Sequence, residues 1–147
     1  MTQEVKEMLK SIMALSDSEK VELAQGALKK LFDGLEDGGV TDDDTKVSIM
    51  LTLVKLFISA DKNCAADEYS FFIAVTGLSK EEITYEHFYN LTNGGSDSKF
   101  KAEAFEILKI LNAEDRTSAI IFGAAILSCD DKFDLLELKL IDEILSL

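Results

Sequence analysis

The chain has 147 residues, of which 47% are hydrophobic and 29% charged, with no proline and a net charge of −13. That balance suits one globular domain able to bury a continuous core, and it excludes a disordered chain. The charge repels phosphate backbones and anionic lipid surfaces, so neither nucleic acid nor membrane insertion is expected; cationic partners, bound cations or simple solubility fit it.

In chain order, residues 1–20 set acids among apolar positions, the pattern of neither a secretory signal nor a transit peptide. Val5, Met8, Leu9, Ile12 and Met13 form a first helical stripe. Ser16-Asp17-Ser18-Glu19 is a capping box, predicting a helix through Val21, Leu23, Leu28, Leu31 and Phe32 that breaks at DGLEDGG, residues 33–39. Thr41 and the acids Asp42 to Asp44 suit the positive end of a further helix, which carries Val47, Met50, Leu51, Val54, Leu56, Phe57 and Ile58 up to Asp61. Beyond a turn, Tyr69, Phe71, Phe72 and Val75 continue a helix to about Gly77. Ser79-Lys80-Glu81-Glu82 is a second capping box, predicting a helix through Ile83, Phe88 and Leu91.

NGGSDS, residues 93–98, is the clearest loop, too short to require a domain boundary. Phe100, Ala104, Ile107, Leu108 and Leu111 supply the next stripe, and Asn112 to Asp115 interrupt it. Ala119 to Cys129, AIIFGAAILSC, is too short to cross a bilayer and predicts a buried core helix. Asp134-Leu135-Leu136-Glu137 opens a last stripe through Leu138, Leu140, Ile141, Ile144 and Leu145. No stretch alternates with a period of two. The expectation is an all-α, compact single-domain bundle, residues 1–147, of about seven or eight helices.

FISADKNCAADE, residues 57–68, and ILSCDDKFDLLE, residues 126–137, share one pattern: an apolar run, an acid, then a glutamate seven residues on. A shift of 69 residues carries Asp61 onto Asp130 and Glu68 onto Glu137, and it keeps Phe71, Phe72 and Val75 in phase with Leu140, Ile141 and Ile144. Each copy is an apolar helix, an acidic turn and an amphipathic helix, so two pseudo-repeated helical hairpins are expected to build the core.

These two turns resemble the alanine-aspartate-glycine turn, with its glutamate seven residues after the aspartate, of the TerB-like tellurite-resistance family. Lys62 and Asp131 stand where glycine is usual, which loosens the turn because only glycine takes left-handed angles freely. The resemblance implies an all-helical domain that carries the turn twice. It also implies a stress response to toxic oxyanions, membrane-associated protein complexes, divalent metal at the paired acids, and no catalytic reaction.

The residues themselves support two readings of the acids. Asp61 and Asp130 can accept hydrogen bonds from loop amides, while Glu68 and Glu137 face the positive end of a helix. Alternatively a hard cation is held by Asp61, Asn63, Asp67 and Glu68, or by Asp130, Asp131, Asp134 and Glu137, which makes Asp61, Glu68, Asp130 and Glu137 the candidate metal ligands. The spacing rules out an EF-hand. His87 with Cys64 and Cys129 has no zinc-site spacing, and the paired glycines Gly38-Gly39 and Gly94-Gly95 lack the context of a phosphate cradle. Two cysteines without a CxxC pattern suggest reduced thiols and the cytoplasm, with a bridge between them the other possibility.

A reaction needs a nucleophile, a base and an orienting group, and no such set stands out. The expected role is therefore non-catalytic: a module with no resident cofactor that binds a protein partner or its own copy, with a divalent cation as an option. A metal-dependent enzyme and a purely structural accessory domain are the alternatives.

Overall fold

The computed structural model describes residues 3–58, 66–93, 98–128 and 135–147. Among these the chain forms eight helices and no strand, the all-α architecture that its periodicity predicts. They are α1 (Gln3–Ala14), α2 (Asp17–Asp37), α3 (Asp43–Ile58), α4 (Ala66–Thr76), α5 (Tyr85–Asn93), α6 (Ser98–Ile110), α7 (Ala113–Leu127) and α8 (Leu135–Leu145).

The Ser16 box forms as predicted. The Ser16 hydroxyl accepts from the Glu19 amide at 3.3 Å, and the Ser16 amide donates to the Glu19 carboxylate at 3.1 Å. Hydrogen bonds to the Glu19 carboxyl from the Ser16 backbone amide, and then from the Ser16 side chain, hold it below its ordinary range. Asp42 caps α3, accepting from the Thr45 hydroxyl at 2.7 Å and the Thr45 amide at 3.0 Å. Asn112 caps α7 through the Asp115 amide at 2.8 Å.

Two details differ from the expectation, while the end of α2 falls within the predicted break at residues 33–39. Helix α2 runs to Asp37, ending at Gly38 and at Gly39, whose φ of 100° only glycine takes freely. Gly34 is there because the Asp115 carboxylate of α7 occupies the space a Cβ would fill. The buried stripe of α2 is Lys20, Ala24, Ala27, Leu28, Leu31 and Leu35, whereas Val21, Leu23 and Phe32 stay partly exposed. Two of the six are alanines, which lets α2 lie close against α7. Finally, the Ser79 box makes both its bonds, the Glu82 amide donating to the Ser79 hydroxyl at 3.1 Å and the Ser79 amide to the Glu82 carboxylate at 3.4 Å, yet closes only one turn. The Tyr69 hydroxyl takes the Ile83 carbonyl at 2.7 Å, and Thr84 starts α5 afresh by accepting from the His87 amide at 3.1 Å.

Helix α7 is the axis of the core. Every residue from Ser118 to Leu127 except Ile121 is buried, and α1, α2, α3, α4 and α8 all pack against it. That placement accounts for its all-round apolar sequence. Helix α2 runs antiparallel to it, with Gly34 against Asp115 at one end and Lys20 against Ser128 at the other. Helix α3 crosses where the Phe57 ring fills the space above Gly123.

Candidate functional site

Helices α4 and α8 open in the same way. Glu68 is the third residue of α4 and Glu137 the third of α8, and their exposures are 0% and 3%. A carboxylate in a first turn faces the positive end of its helix. One held this far from water also needs donors or a countercharge around it. The other two candidate ligands, Asp61 and Asp130, lie outside the described residues, as do Asn63, Asp131, Asp134, Cys64, Cys129, Gly94, Gly95 and the side chain of Asp67.

Phe71, Phe72 and Val75 are buried, and so are Leu140, Ile141 and Ile144.

A further residue belongs to this region. Lys20 of α2 is 2% exposed, and its ammonium donates to the Ser128 carbonyl at 3.1 Å. Ser128 is the C-cap of α7, and its hydroxyl donates to the Ala125 carbonyl at 2.8 Å. Carbonyls at a helix C-terminus carry partial negative charge, so a buried cation is well placed there. Lys20 thus fastens α2 to the last turn of α7, immediately before the second acidic segment. The sequence does carry a sign of it: Lys20 stands at the helical spacing of Ala24, Ala27 and Leu31, as the one charged member of that stripe.

Elsewhere, His87 is exposed, and Gly38 and Gly39 serve only to end α2. Tyr69, Phe72 and Phe88 pack as a ring cluster, with Tyr85 and Tyr89 at its exposed margin. Among the described residues no group of three or more His, Cys, Asp or Glu side chains is arranged to hold a metal. No described helix is long and apolar enough to cross a membrane. A scan of protein-family models finds no match to the chain, and searches of curated proteins and of solved structures find none.

Proposed function

We propose that this all-α chain is a non-catalytic, TerB-like interaction module, acting in a stress response from the cytoplasm through a protein partner or its own copy. In this reading the two acidic turns are halves of one duplicated hairpin. The observation that carries it is the matched burial of Glu68 and Glu137, each the third residue of its helix. Buried Lys20, bonded to the Ser128 carbonyl at the end of α7, supports an anchoring role for the second turn.

A divalent cation at Asp61, Glu68, Asp130 and Glu137 is the second reading. The complete burial of the Glu68 carboxylate favours it, because such a group is most stable beside positive charge. Calorimetric titration with calcium, magnesium and zinc, paired with thermal melts, separates the two. Binding heat and a raised melting point that disappear in Glu68→Gln and Glu137→Gln establish the cation; no heat and no shift with any of the three ions leave the acids as anchors. Hydrolysis of generic esters or phosphates that requires metal, and is lost in the same variants, would overturn the non-catalytic reading itself.

A further inference from the structure

We draw no further inference here: the strongest candidate, the exposed edge of the ring cluster where Tyr85 and Tyr89 stand on α5, is an apolar face, and nothing in the structure shows what covers it.

Discussion

Replacing Gly123 with alanine tests the crossing on which the core depends. Alanine in a helix interior is favoured over glycine by about 1 kcal/mol, so propensity alone makes the change stabilising. Against this, the new Cβ would overlap the Cγ, Cδ2 and Cε2 atoms of the Phe57 ring. Phe57 is 0% exposed, so its ring has nowhere to withdraw. Overpacking of a tight core costs roughly 1–3 kcal/mol, and the overlap with three ring atoms argues for the upper half of that range. Gly123→Ala is therefore expected to lose about 1–2 kcal/mol net. Gly26→Ala is the internal control: the propensity gain is the same and the space is open, so it is expected to gain about 0.5–1 kcal/mol in dilute solution. Thermal unfolding followed by circular dichroism should separate the two variants by roughly 5–10 °C for a chain of this size. A smaller side chain should restore part of the loss, so Phe57→Leu in the Gly123→Ala background gives a coupling energy. Equal melting points for the two glycine variants would refute the placement of α3 across α7.

Lys20→Met keeps the length of the side chain but removes its ammonium from the Ser128 carbonyl; urea unfolding should show a loss of about 1.5–3 kcal/mol, the scale for a buried charged donor. An unchanged midpoint would mean that the ammonium does not hold α2 to α7. Asp115 gives a pH dependence of definite sign. Burial against the α2 seam, then the charges of Glu114 and Asp37, raise its carboxyl above the ordinary range. The folded chain thus binds that proton more tightly than the unfolded chain, so stability rises as pH falls through the folded-state value and stops rising below the unfolded one. Asp115→Asn should be more stable than the wild type at neutral pH and should lack this acid-side gain, as urea midpoints at neutral and mildly acidic pH would show.

The fold was legible wherever a local signal and the tertiary structure agreed. Ser16 with Glu19, and the acids ahead of α3, cap the helices that their spacing predicts. Local chemistry misled where a distant residue intervened. The Ser79 box closes a single turn and Thr84 caps a new helix, with Tyr69 of α4 bonded to the Ile83 carbonyl between them. The buried face of α2 was obscured for a related reason: close packing on α7 selects Ala24 and Ala27, which carry little hydrophobic weight, over Val21 and Phe32. At the candidate site, spacing alone singled out Glu68 and Glu137. Their depth, and the lysine of α2 bonded to Ser128 at the end of α7, required the packing of segments far apart in sequence.

That separation has a consequence for how the chain reaches its fold. The Lys20 to Ser128 bond joins residues 108 positions apart, and the seam around it is the main resting place of α2. At translation rates of about 5–20 residues per second, α2 leaves the ribosome some 5–20 s before its partner exists. For that interval its alanine-lined stripe and its lysine remain in water, and no earlier helix substitutes for α7. Closing so long a loop also slows folding relative to bundles built from sequential neighbours. Nascent chains arrested before residue 113 should therefore lack protected α2 amides, and protection should appear abruptly once α7 has emerged.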